Sequence, residues 1–316
     1  MFELLDLTNK INHEFIDVNN KEEVYNNIAK IKPDLVFHLA AQPIVSESYT
    51  NPVETIKVTL MGSIHIMEAV KRADILCSVV MITSDKCYEN LEWTWGYREN
   101  DRLGGKDPYS ASKAIAEIGV HSYFKSFFKE SDKVFISSVR AGNVIGGGDW
   151  AENRIVPDCV RAWSENKSVE LRNPNATRPW QHVLETLGGY LLVGACLNKK
   201  LSGESFNFGP SSDQNYTVLE LLKEIGKTWD SVEEDKKFIV NNVKPFKEAG
   251  LLKLNCDKAL HALGWESVLK FKETAAFTSE WYYYYYEQKP NSEELYKFTL
   301  EQIQQYSDKA KSNALV

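Results

Sequence analysis

The chain has 316 residues, 43% hydrophobic and 12% aromatic, enough apolar surface to bury one large or two modest domains. Its 37 Lys and Arg against 44 Asp and Glu give a net charge of −7 with no basic run, which speaks against nucleic acid and requires placed arginines if a substrate is anionic. The five cysteines form no C-x-x-C pair, and neither a leader nor a bilayer-length apolar run occurs, so we expect a reducing, cytoplasmic protein without structural zinc, disulfides or a membrane span.

In chain order, "HEFIDV" (13–18) is a short candidate strand, and 21–31 has a helical pattern. "PDLVFHLA" (33–40) is the next strand, followed by a helix over 51–72. "CSVVMITS" (77–84), a helix over 109–129 and "KVFISSVRAG" (133–142) continue the alternation. This β-α-β-α-β pattern predicts an α/β, Rossmann-like doubly wound parallel sheet that binds ligands beyond the carboxyl ends of its strands. After residue 150 the alternation fades into a smaller, mixed C-terminal domain, with "ESFNFGP" (204–210) as a further strand and "TVLELLKEIGKTW" (217–229) as a helix. The "GKT" at 226–228 is structural, because the P-loop glycine expected five residues before Gly226 is Leu221. "WYYYYYEQ" (281–288) reads as a terminal helix packing aromatics on the body, against the alternative of a stacking platform.

Two polar stretches carry candidate chemistry. Tyr109 and Lys113 lie one turn apart on a helix face, where an ammonium beside a phenol favours the phenolate and makes Tyr109 a candidate base. The strand at 77–84 runs into Ser84, Asp85 and Lys86, a hydroxyl, an acid and a base at what the parallel sheet makes a ligand crevice. His38 reads as a core residue and His182 as ordering the segment that bears Arg178, while Trp93 and Trp95 either pack over the site or anchor their loop.

"FHLAAQ" (37–42), "TSDKCY" (83–88), "YSASK" (109–113) and "RAGNVIGGGDW" (140–150) together resemble the extended short-chain dehydrogenase/reductases. "WGYREND", "RNPNATRPWQHVLE" and "FNFGP" resemble the CDP-glucose 4,6-dehydratase branch of that family, from about residue 1 to about residue 285. The resemblance implies an NAD-dependent lyase of deoxysugar biosynthesis acting on CDP-glucose, as a homodimer or dimer of dimers that pairs through the helices at 51–72 and at Tyr109. It implies an NAD-binding domain at 1–149, to which 181–209 return, and a substrate domain at 150–180 and 210–316. Tyr109 would take the proton of the sugar C4 hydroxyl, Lys113 would lower the Tyr109 pKa and hold the nicotinamide ribose, Ser84 would bond a substrate hydroxyl, and Asp85 would protonate the departing C6 hydroxyl. Lys86 stands where many relatives carry a glutamate base, and is either the C5 base or an electrostatic anchor.

Asp17, Val18, Leu39, Ala40, Ala41, Gln42, Thr59 and Arg140 would border NAD. Asn143, Arg154, Val156, Arg172 and Arg178 would contact substrate, Arg178 at the pyrophosphate, and glycines 146–148 would let backbone approach the ligand. No metal site is implied. Thr59 departs from the family's usual Asn and Lys247 from a common His. No G-x-x-G-x-x-G occurs, and the chain opens at a point that resembles the inside of the family's domain, so we expect the first strand, first helix and second strand to be missing. Either the gene product begins upstream, or the chain is a nucleotide-sugar-binding remnant with weak or no NAD binding. A related epimerase, or a dehydratase for another nucleotide, is the third reading.

Overall fold

The computed structural model describes residues 1–171, 173–229, 237–240 and 250–314. Helix α1 (Lys21–Ile31) starts where the Asn20 side chain accepts the Glu23 amide and stops at Lys32, which takes a left-handed conformation. Strand β1 (Leu35–His38) follows, then the short helices α2 (Val45–Thr50) and α3 (Pro52–Ile56). A π-type turn over Lys57–Met61 joins α3 to α4 (Gly62–Ala73), so the helix expected over 51–72 is present with one wider turn inside it. Strand β2 (Cys77–Ile82), α5 (Pro108–Tyr123) and β3 (Val134–Ala141) come next. The chain continues with β4 (Val144–Ile145), α6 (Ile155–Ser164), β5 (Val169–Leu171), β6 (Thr177–Arg178) and β7 (Gln181–His182). Then come α7 (Val183–Cys196), β8 (Ser205–Phe208), β9 (Tyr216–Thr217), α8 (Val218–Gly226) and β10 (Phe238–Val240). Helices α9 (Asp257–Leu263), α10 (Phe271–Tyr283) and α11 (Ser292–Ala314) complete it.

The main sheet has the order β1-β2-β3-β8 and is parallel throughout. Period-two geometry sends alternate residues of β2 to opposite faces, and each face has its own core. Val79 and Met81 pack with Met67 and Val70 of α4 and Val120 of α5, whereas Val80 packs with Tyr190 and Val193 of α7 and with Phe206 and Phe208 of β8. Helices on both faces leave the carboxyl strand ends as the open edge, and Ser84, Asp85 and Lys86 follow β2 there. A second core, away from the main sheet, has Trp163 of α6, Leu221 and Ile225 of α8 and Trp281 and Tyr282 of α10 at its centre.

Residues 13–18 are not a strand. An extended segment needs a ladder partner for its backbone groups, and in the described sheet β1 is hydrogen-bonded on one side only, to β2. Phe15 is 92% exposed, and the Val18 carbonyl is 2.7 Å from His65 Nδ1 on α4. The tyrosine run lies on α10 and the π-type turn after it, where Tyr284, Tyr285 and Tyr286 pack against the second core, as a packing helix requires. Among the described residues no helix is long and apolar enough to cross a membrane.

Candidate active site

Three chain segments meet at the carboxyl edge of the sheet. After β2, Ser84 caps a single 3₁₀ turn over Asp85–Cys87 by accepting the Lys86 amide at 3.3 Å, which points Asp85 inward. Helix α5 is started by Asp107, whose carboxylate accepts the Ser110 amide at 2.9 Å, with Pro108 in the first turn, so Tyr109 sits at the helix mouth and Lys113 one turn deeper. From the chain after β4, Arg154 precedes α6 and Arg178 ends β6.

The Ser84 hydroxyl donates to Asp85 Oδ1 at 3.0 Å and also bonds the Tyr109 phenol. Asp85 is buried, and its Oδ2 has no hydrogen-bond partner among the described residues. Burial pushes its carboxyl above the usual carboxylate range, opposed by the charges of Lys86 and Arg178 and by the Ser84 bond. Arg178 is buried, donates to the Thr177 carbonyl at 2.8 Å, and acts on Asp85 through its charge. Arg154 pairs with Asp149 at 3.3 Å and acts on Tyr109. Ser84, Asp85, Lys86, Tyr109, Arg154 and Arg178 therefore form one electrostatic neighbourhood.

The expectation of a depressed tyrosine pKa is not met in this state. Burial pushes the Tyr109 phenol up to about 12, with the Ser84 bond opposing it and the Asp85 charge adding to it. The same burial lowers Lys113 to about 8, against the charges of Cys87 and Glu117. Desolvation outweighs the pairing because both groups lie deep, Lys113 being 4% exposed with its Nζ 6.0 Å from the Tyr109 ring centroid.

Several other expected residues land elsewhere. Arg140 is not free for a cofactor: it is 3% exposed, and its Nε, Nη1 and Nη2 donate to Glu117, Tyr88, the Glu99 carbonyl and Ser205. Gln42 is likewise engaged locally, donating to the Ile44 carbonyl and to Thr55 Oγ1 at 2.9 Å each. The Val156 side chain belongs to the second core. Glycines 146–148 make room for protein rather than for ligand. A Cβ on Gly147 would stand 2.1 Å from the Trp281 ring, one on Gly146 would meet Val183, and Gly148, at φ +80°, abuts Met1. Asn143 is half-buried, its carbonyl accepting the Gln181 amide at 3.1 Å. Arg172 and Lys247 lie outside the described residues.

His182 caps α7 by accepting the Leu184 amide, and burial lowers it to about 4. Trp93 is half-buried, 5.0 Å from Tyr97 between ring centroids, and anchors its loop, whereas Trp95 is 72% exposed. Sequence reasoning missed Glu117, Tyr88 and Asn207, which hold Arg140 directly or through one another. The signal available was Glu117 at i+4 from Lys113.

Residues fit for the nicotinamide end of NAD are present. Lys113 is buried one turn below Tyr109, and Thr59 Oγ1, on the turn before α4, is buried without a hydrogen-bond partner among the described residues. Leu39 and Ala40 are exposed just past β1, with Ala41 half-buried beside them. Asp17, exposed, accepts the Asn19 amide in an Asx turn beside Val18. The pyrophosphate end finds no glycine-rich fingerprint in this sequence.

Comparison with known proteins places the whole chain among relatives. A family model described as GDP-mannose 4,6 dehydratase matches residues 3–278. The chain is 43% identical over 289 residues to the CDP-glucose 4,6-dehydratase of Salmonella typhimurium, covering 89% of this chain and 79% of that one. The human dTDP-D-glucose 4,6-dehydratase is 25% identical over 281 residues, with 87% and 77% covered. Among solved structures, a dTDP-glucose 4,6-dehydratase from Bacillus anthracis in complex with NAD superposes with a TM-score of 0.73 at 20% identity, over 90% of this chain and 83% of that one.

Proposed function

The chain belongs to the family described as GDP-mannose 4,6 dehydratase, within the extended short-chain dehydrogenase/reductases, and from that premise we propose that it converts CDP-glucose to CDP-4-dehydro-6-deoxy-glucose and water. When bound, NAD supplies a hydride acceptor at the sugar C4 and gives the hydride back at C6, so the overall reaction is redox-neutral. Tyr109 and Lys113 would hold its nicotinamide ribose, beside Thr59.

This chain's own groups handle the protons. Tyr109, as the phenolate, takes the proton of the C4 hydroxyl, with the Ser84 hydroxyl beside it. The resulting 4-ketone acidifies the C5 proton. Asp85, whose carboxyl burial pushes above the usual carboxylate range, delivers a proton to the C6 oxygen as the C6–O bond breaks and water leaves. Lys86 acts at C5 as base or as electrostatic anchor. Arg178 and Arg154 supply cationic donors for the diphosphate of a chain whose net charge is otherwise −7. The observation that carries this reading is the buried Asp85 linked through Ser84 to Tyr109.

Two further parts of the reading concern assembly and setting. Val53 on α3, Met61 before α4 and Ile115 and Ile118 on α5 are exposed apolar residues on helices that pack together, which supports a homodimer through that face. A cytoplasmic setting agrees with five unpaired cysteines. A second reading is that the chain binds CDP-sugar without turnover. A panel of CDP-, dTDP-, UDP- and GDP-glucose with added NAD tests both. Turnover of CDP-glucose at the highest kcat/KM supports the first reading, saturable CDP-glucose binding without product supports the second, and preference for another nucleotide sinks the assignment.

A further inference from the structure

Among the described residues the Glu117–Arg140 pair is the most buried ion pair, and the proposed proton transfers do not use it. Glu117 follows Lys113 by one turn on α5, both buried, so the two side chains share a face. The pair is bidentate, Nε to Oε1 at 2.9 Å and Nη2 to Oε2 at 2.7 Å, with both side chains 3% exposed. Arg140 Nη2 also donates to Ser205 Oγ at 3.2 Å, and Nη1 to Tyr88 Oη at 2.7 Å and the Glu99 carbonyl at 3.0 Å. Glu117 further accepts from Thr83 Oγ1 and from Ser138 Oγ at 2.8 Å.

Some of these ties reach the segments that carry candidate site residues. Thr83 precedes Ser84, Tyr88 follows the Asp85 turn, and Arg140 stands three residues before Asn143. Tyr88 passes the contact on to Asn207 at 2.7 Å, and Asn207 Nδ2 holds the carbonyls of Tyr97 and Asn255. The segment between the two reacting stretches is thereby pinned to β8.

Stability alone does not explain the pair, because buried ion pairs are often no better than apolar residues of the same volume. The charge itself has a neighbour to act on. Lys113 faces Glu117 from its own helix, Cys87 from the turn after β2, His38 from β1 and the Tyr109 ring from the helix mouth. His38 is neutral at physiological pH, burial and the Lys113 charge lowering it to about 4, and burial holds the Cys87 thiol well above its usual value. That leaves Glu117 as the anionic group among these neighbours of Lys113.

We propose that the Glu117–Arg140 pair is a positioning device for Lys113: the carboxylate holds the lysine as an ammonium facing Tyr109, and Arg140 sets how much of that negative charge the lysine meets. Its place in catalysis rests on the dehydratase reading, but its effect on Lys113 does not. The test is an NMR pH titration of the lysine side chains of isotope-labelled protein, with the Lys113 signal assigned by its loss in Lys113→Arg. In Glu117→Gln the Lys113 midpoint falls by about 1–3 pH units, in Arg140→Met it rises, and in the double variant it returns toward wild type. A packing role alone would give no such opposite signs. If Glu117→Gln does not fold, Arg140→Met against the double variant still decides. A Lys113 midpoint that is the same in every variant that folds overturns the proposal. Because the readout needs no turnover, an inactive wild type would count against the dehydratase reading and not against this one.

Discussion

Asp85→Asn separates the two halves of the proposed reaction. The carboxyl is buried, its Oδ1 accepts from Ser84 at 3.0 Å, and its Oδ2 has no partner among the described residues. Asparagine keeps the shape and the Ser84 bond but cannot deliver a proton to the C6 oxygen. General acid catalysis contributes about 10²- to 10⁴-fold, roughly 2.7–5.5 kcal/mol of barrier, so elimination of water should slow by that factor. Formation of the 4-ketone, which relies on Tyr109, should persist. Single-turnover assays with CDP-glucose and NAD would then show reduced nicotinamide building up while the 6-deoxy product lags. The variant should also be more stable at neutral pH. Burial raises the folded-state pKa of Asp85 above its unfolded value, so its neutral form favours folding at low pH, and that contribution is lost as pH rises through the folded pKa. Asparagine removes the loss, so the gain in Tm should be present at neutral pH and vanish in acid. Elimination retained within a few-fold of wild type would refute Asp85 as the acid.

Tyr109→Phe should lower kcat by about 10²- to 10⁴-fold with Tm nearly unchanged, because the ring still fills its site. Gly147→Ala drives a Cβ into the Trp281 ring and should cost about 1–3 kcal/mol by denaturant titration, with folding loss rather than a CDP-glucose KM effect as the first sign. Glu185→Ala strips the acceptor from the amides of Val268 and Leu269 and from Tyr306 Oη on α11, and each orphaned donor should cost about 1–3 kcal/mol in the same titration. Ile118→Asp puts a charge on the exposed face of α5, and light scattering should show the wild type at the mass of the proposed dimer and the variant at that of a monomer.

Periodicity made the scaffold legible. The helix at 21–31 and the strands within 77–84 and 133–142 form where β-branched runs and 3.6-residue patterns put them, and "TSDKCY" ends a strand at the crevice. What escaped was set by distant neighbours. "HEFIDV" has the composition of a strand but no partner in the described sheet, and glycines 146–148 are occupied by Trp281, Val183 and Met1, contacts across more than thirty residues. Arg140 illustrates the same limit. Its motif suggested a ligand contact, but Glu117, Tyr88 and Ser205 are brought to it by α5, the turn after β2 and β8, and local sequence does not reveal that closure. The shifts of Tyr109 and Lys113 depend on burial, which sequence spacing understates.

The most direct measurement is mass spectrometry of CDP-glucose incubated with the chain and NAD in heavy water. Our account predicts loss of one water and one deuterium incorporated at C5. CDP-glucose recovered unchanged, without deuterium, would contradict it.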